Sequence, residues 1–462
     1  MNIGHLRFLV LLAALSYLPT LAFYYVGEEA IFPIVSLEMW HRHDWIRQHM
    51  FGLNLQHNPL FNWLIIPFAA ATGWEYVLPV TRALTVTATL ATAALAGWLA
   101  LRLLRDATVA WFAALIYLTL ADVLMYRGWL AYVDPLFGFF VFAAIATLWV
   151  ACEERRPGLL VLAVLSLTCA FMSKAFTAYV FYGGAALVLL MEPRRRRVLL
   201  GAPSLVLHAA AALAPVLWLS LLPGNSGQST RMFGEMLAKL APQGVVEYLR
   251  QLAGFPAETV LRLSPAILLV AYFAWRRRIA VSAEFAPHLK TALWIALLGY
   301  LPYWLSPHGA IRYLVPIYPL IGFALALLLW SAGEQARLST KRWLSGMVAL
   351  KFVVAVFLFP YYQSQYRGEN YALAARDIME RSSGHPLYTT ADTASGLSVA
   401  GYIDAHWRRN DPIQWAPEGW STGFVLAEEA DPAVGEVSVR FKLGGDELFL
   451  LCRGTACARA AR

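Results

Sequence analysis

Charge is what this chain has least of. Asp, Glu, Lys and Arg together make up 14% of its 462 residues, where an ordinary globular chain carries about 25%. So few charges cannot clothe a soluble surface of this size, which excludes soluble cytoplasmic enzymes and nucleic-acid-binding modules. Cysteine is sparse too, at 4. Cys152 and Cys169 fall in or beside apolar runs and read as small apolar residues. Cys452 and Cys457 sit close together in the tail, where an oxidising compartment could join them; a metal site there would need further Cys or His, and none follows. No internal repeat or low-complexity tract is present, which sets aside repeat architectures. What is abundant is apolar: 59% hydrophobic residues and 14% aromatics, with a mean hydropathy of +0.54. This is the composition of a polytopic membrane protein.

The first apolar run, 6–26, is long enough to cross a hydrocarbon core of about 30 Å. Tyr17, Pro19, Phe23, Tyr24 and Tyr25 fill its end with bulk where a cleaved signal would carry small residues, so it reads as an uncleaved anchor. Further spans are expected at about 78–104, 107–126, 134–152, 158–174, 176–191, 198–222, 259–275, 288–306, 310–331 and 342–361. With the N-terminus inside, alternation puts every short Arg cluster on one side: Arg102 and Arg105, Arg155 and Arg156, Arg194 to Arg197, Arg276 to Arg278, and Arg337 with Lys341 and Arg342. Much of the net charge of +8 is therefore a topology signal rather than a nucleic-acid patch. The expected fold is α-helical and polytopic, with about eleven transmembrane helices in 1–361 and the tail outside.

Three stretches lie on the outer face. The first, 27–77, holds an apolar piece at 59–73 that is too short to span and reads as a juxtamembrane helix. The second, 223–258, opens on the turn-rich Pro223-Gly224-Asn225-Ser226-Gly227. The third, 362–462, reads as a small extracytoplasmic α/β domain: helices near 371–382 and 393–405, strands near 386–391, 423–428, 436–443 and 446–452. Trp407, Trp415 and Trp420 in it could stack on a glycan, although packing in a small core is the simpler use.

A few charges break the topology pattern. Glu28 and Glu29 stand where the first span exits, and adjacent acids at such a boundary need water, a cation or a partner. Asp134 opens a span from the same side, where it could equally be a helix N-cap before Pro135. Arg127 and Lys174 also fall at outer ends, where snorkelling is the plain alternative. Acids and bases gathering on one face suit a phosphate-bearing, membrane-borne substrate.

The order of Glu28-Glu29-Ala30, His57-Asn58-Pro59-Leu60-Phe61-Asn62-Trp63, the Asp134 segment, Met172-Ser173-Lys174 and Arg312-Tyr313-Leu314-Val315-Pro316 resembles that in GT-C fold membrane glycosyltransferases. These include the bacterial aminoarabinose transferases acting on lipid A and the protein O-mannosyltransferases. The resemblance covers about 6–330 and implies transfer of a sugar from a polyprenyl-phosphate donor to a lipid, glycan or protein hydroxyl, most simply with inversion. Glu28, Glu29 and Asp134 fall on the family's catalytic acids, one of them a general base. His57, Lys174 and Arg312, joined by Arg127, fall where the donor phosphate is neutralised. The acids Glu28 and Asp134 could also hold Mg2+ or Mn2+, although relatives near this pattern mostly lack a tightly bound ion.

Three positions depart from the family. Glu28 replaces the usual Asp. Ile31 stands where aminoarabinose-transferring relatives have Arg, and His57-Asn58-Pro59 where they have Lys-Pro-Pro. The last two remove positive charge near the expected phosphate, so the sugar need not be aminoarabinose. The expected location is the bacterial inner membrane with the site and tail periplasmic, where a flipped lipid-linked donor is available and cytoplasmic nucleotide sugars are not. A transporter or flippase, or a non-catalytic scaffold, is the alternative; a transporter would carry acids near the bilayer midplane.

Overall fold

The computed structural model describes residues 2–55, 58–221, 244–276 and 279–460. The expectations on His57, on the turn at 223–227, and on Arg277 and Arg278 fall outside them. Six helices or helical runs among the described residues are long and apolar enough to cross a membrane: Ile3–Ala22, Trp74–Leu104, Asp134–Glu154, Ala202–Leu221, Ile311–Ser331 and Glu334–Ser382. A seventh candidate is a broken one, since Val245–Arg262 and Ala266–Trp275 meet at a bend of 99°. Ala107–Leu118, Pro157–Ser173 and Thr177–Leu190 are apolar but shorter.

The departures from the expected spans have local causes. The run at 107–126 stops at Leu118, and Asp122–Arg127 then forms a π-helical turn. That turn brings the buried Asp122 to partners on other helices instead of leaving it facing lipid. The run at 259–275 breaks before Ala266 because Pro265 has no N–H to continue the ladder. The stretch at 342–361 lies inside a longer run, loosened by a π-helical turn at Val354–Leu358. The helix Leu60–Thr72 has 13 residues, about 20 Å, which is short of a crossing as expected.

The chain divides into two compact units: 1–18, 85–129 and 133–352 form the first; 19–84, 130–132 and 353–462 form the second. In the first, Asp134–Glu154 is the central helix, with Phe142, Ile145, Leu148 and Trp149 fully buried. Gly138 matters here: a Cβ on it would stand 3.0 Å from Val315, so its absence lets the turn at Ile311–Ile317 pack closely. At the other end of the same helix, Glu154 pairs with Arg102 and with Arg156 at 3.3 Å, and Glu153 pairs with Arg195 at 2.6 Å. Arginines from three of the expected clusters thus meet at one end of this unit.

The second unit holds a five-stranded sheet in the order β4-β3-β5-β7-β6. Its strands are β3 Leu387–Thr389, β4 Gln414–Trp415, β5 Gly423–Ala427, β6 Glu436–Leu443 and β7 Asp446–Arg453. β3 runs parallel to β4 and β5, and β7 is antiparallel to β5 and β6. Helices Glu369–Ser382 and Ala394–His406 match the expected ones, whereas β4 was not expected. Cys452 and Cys457 are disulfide-bonded. Trp420 packs on Tyr388 and Trp415 on Phe51, while Trp407 stays exposed.

The core under this sheet is not made by the tail alone. Ala30, Ile34 and Phe51 from the first loop, with Tyr25 and Leu78 just outside it, share it with Ile378, Leu397, Phe424 and Leu450. A short hairpin, β1 Gln48–Met50 with β2 Leu53–Leu55, is tied in by Glu38, which accepts from the Phe51 and Gly52 amides. The Trp415 amide in turn donates to the Phe51 carbonyl at 2.8 Å.

One buried acid there makes stability depend on pH. Asp404 accepts from the Ile413 amide at 2.8 Å, and its Oδ2 has no hydrogen-bond partner among the described residues. Burial, reinforced by the charge of Glu38, holds its carboxyl well above the ordinary 3.8 in spite of that amide. The folded chain then binds a proton the unfolded chain releases, so stability is fullest below 3.8 and falls as pH rises toward the folded value. Asp404→Asn keeps the acceptor and removes the titration. Its melting temperature in detergent should exceed wild type, and by more at pH 8 than at pH 5; a lower value at both would overturn the assignment.

Candidate active site

Glu28 and Glu29 take opposite environments. Gly27 adopts a left-handed φ of 60°, and a Cβ on it would lie 2.9 Å from the Tyr132 hydroxyl. That turn leaves Glu28 exposed, with its amide donating to Tyr132 Oη at 3.0 Å. Glu29 is fully buried. It receives Arg82 Nε at 2.9 Å and Nη2 at 2.5 Å, and the amides of Val26 at 2.8 Å and Ala131 at 2.6 Å. Arg82, also fully buried, donates further to the carbonyls of Thr20, Phe23 and Tyr24. This ion pair ties the exit of the first helix to the start of the Val77–Leu104 helix, all within the second unit. A carboxylate with all these donors has no room for substrate, whereas Glu28 does.

Asp134 is the first residue of its helix and not the N-cap, a place taken by Val133. Its carboxylate is 10% exposed and pairs with Lys174. Lys174 lies just past the end of Pro157–Ser173, with Nζ 5.3 Å from the Tyr313 ring centroid; the Arg312 guanidinium sits over the same ring at 5.4 Å. Arg127 and Arg312 both act electrostatically on Asp134, and both line a cavity of about 410 Å³ with Gln251, Phe255 and Glu258. In the first unit the Asp134–Lys174 pair is thus joined through Tyr313 to Arg312, which with Arg127 lines a cavity sized for a small polar group.

Asp122 and Arg262 stand behind this cluster. Asp122 is buried and receives Arg262 Nη1 at 2.5 Å and the Tyr318 hydroxyl at 3.0 Å, with Arg127 Nε 3.3 Å away. Arg262 also pairs with Glu258 at 3.0 Å. The sequence did carry a signal for Asp122 and Arg82: a charge inside an apolar run is costly and calls for a partner. Among the described residues, one group of His, Cys, Asp or Glu side chains lies within metal-ligating reach, Glu436 with Cys452 and Cys457, and the disulfide occupies both cysteines. The Asp134 carboxylate is already charge-compensated by Lys174.

Set against known proteins, the fold has clear counterparts. The ArnT protein of Cupriavidus metallidurans, in a crystal structure bound to undecaprenyl phosphate, superposes with a TM-score of 0.74. The match covers 98% of this chain and 99% of that one at 14% identity. The fold is the GT-C fold. The family model for dolichyl-phosphate-mannose-protein mannosyltransferase matches residues 6–223. An undecaprenyl phosphate-alpha-4-amino-4-deoxy-L-arabinose arabinosyl transferase of Pseudomonas aeruginosa is 32% identical over 190 residues, 40% of this chain and 34% of that protein. A second such transferase, from Pseudomonas fluorescens, is 27% identical over 214 residues. The chain thus spans about a third of the length of these curated relatives, with 34% for the first. The GT-C resemblance expected from the motifs in 6–330 stands, and the fold likeness runs through nearly the whole chain.

Proposed function

We propose that this protein is an integral-membrane glycosyltransferase moving a sugar from a polyprenyl-phosphate donor to a hydroxyl of a lipid, glycan or protein. The observation that carries it is the Asp134–Lys174 pair, joined through the Tyr313 ring to Arg312, which lines one cavity with Arg127 in a GT-C fold. Polyprenyl phosphate leaves with two negative charges to disperse, and a lysine and two guanidiniums suit it. Asp134 holds Lys174 in place. Glu28, exposed at the end of the first helix, takes the proton from the acceptor hydroxyl. The acceptor oxygen bonds to the anomeric carbon as the carbon–oxygen bond to phosphate breaks, with inversion. Glu29 acts through Arg82 by fixing the loop that presents Glu28. The names of the relatives support undecaprenyl phosphate as the carrier, and Ile31 argues against assuming aminoarabinose as the sugar. We place the chain in the bacterial inner membrane with about eleven crossings, the transferase region at 1–361, and 362–462 on the periplasmic side with the site.

The test is transfer itself. Given a polyprenyl-phosphate sugar and envelope acceptors, purified protein should release polyprenyl phosphate with label appearing in the acceptor. Asp134→Asn, folded by its melting curve, should lose at least about a hundredfold in rate, because Lys174 is no longer held. Full activity in that variant would remove Asp134 from the site, and solute uptake without transfer would replace the enzyme by a transporter.

A further inference from the structure

At the arginine-rich end of the first unit lies a second cavity, of about 620 Å³, that the transfer reaction does not use. Arg102, Arg105, Arg156 and Arg194 line it against Glu153 and Glu154. Both carboxylates are already engaged. Glu154 pairs with Arg102 and Arg156, and Glu153 with Arg195 and the Trp149 indole. Arg195 is itself buried, 5% exposed, and donates to Thr291 at 3.0 Å. The side chains of Arg105 and Arg194 make no hydrogen bond or ion pair with another described residue, and both are exposed. The positive-inside rule asks only that arginines sit on the loops. Helix packing here does more, setting two guanidiniums with no hydrogen bond or ion pair to another described residue at the rim of one cavity, Arg105 of them within electrostatic reach of Glu154.

The cavity has an apolar side as well. Leu101 and Leu103 line it, and Leu101 is 42% exposed. A guanidinium fork matches the paired oxygens of a phosphate diester, and leucines beside it suit the glycerol and first methylenes of a lipid. Basic pockets between helices on the cytoplasmic side are where anionic headgroups dock, and this is the end that the arginine pattern assigns to that side. We propose that this cavity binds the phosphodiester headgroup of an anionic phospholipid, with Arg105 and Arg194 as its phosphate ligands. The proposal is independent of the transferase assignment, since none of these residues belongs to the transfer site.

Native mass spectrometry of the full chain in detergent, titrated with cardiolipin, phosphatidylethanolamine or inorganic phosphate, tests it. Arg105→Ala with Arg194→Ala should weaken cardiolipin retention by about tenfold or more, as expected for lost charge-assisted bonds. The control removes the same charge from exposed neighbours outside the cavity, Arg196→Ala with Arg197→Ala, and should stay within about twofold of wild type. Equal losses in the two double variants would mean diffuse surface charge and overturn the site. Retention of phosphatidylethanolamine as strong as that of cardiolipin, or competition by inorganic phosphate at equal concentration, would overturn the anionic-lipid assignment.

Discussion

Glu28→Gln is expected to lower kcat by about 10²–10⁴-fold, the range a positioned general base supplies, while leaving the melting temperature near wild type. The amide keeps the shape and polarity of the side chain but cannot accept a proton from a hydroxyl at neutral pH. Little stability is at stake, because Glu28 is exposed and its backbone rather than its side chain makes the hydrogen bonds to Tyr132 and Ile31. Donor KM should move far less than kcat, since the donor phosphate is assigned to Lys174, Arg127 and Arg312. Glu28→Asp, which restores the residue usual in the family, should retain a large part of the rate. Steady-state kinetics with a labelled polyprenyl-phosphate sugar measures both. Unchanged turnover in Glu28→Gln would pass the base to another acid, with Asp134 first in line.

The second large effect is on folding. Arg82→Met should destabilise the protein by about 3–5 kcal/mol, the cost of leaving a buried charge uncompensated. It strands Glu29, which is fully buried, and removes one donor from each of the carbonyls of Thr20, Phe23 and Tyr24. Glu29→Gln should cost less, since a neutral amide can still accept from Val26 or Ala131. The double variant Glu29→Gln with Arg82→Met should be more stable than Arg82→Met alone, because it no longer strands a buried charge. Thermal unfolding followed by intrinsic fluorescence and the yield of monodisperse protein report the ranking. Near-wild-type stability of Arg82→Met would contradict a buried clamp. Where Glu29→Gln folds, its transfer rate should also fall, because the loop it fixes presents Glu28.

Much of the architecture was legible in the chain. Apolar runs of span length mark the long helices because a helix satisfies its own backbone hydrogen bonds in lipid, and the short apolar or β-prone runs at 423–428, 436–443 and 446–452 match β5, β6 and β7 to within a residue. Legibility failed where a local pattern depends on a distant partner. The run at 107–126 looks like one span, and only the Arg262 and Tyr318 side chains explain why it breaks at Asp122. Two adjacent glutamates look alike in sequence, yet one is solvated and the other buried, and Arg82, 53 residues away, makes the difference.

The sequence by itself determined the class of protein, its many apolar spans, the strands and helices of its tail, and the short set of charges worth attention. Composition and periodicity are local properties, and burial in lipid or in a sheet core reads them directly. The tertiary structure alone decided which of those charges share a cavity, that Glu29 is a clamp, and that the first loop and the tail build one core. These depend on contacts between residues remote in the chain, where an ion pair or a packed side chain leaves no periodic trace.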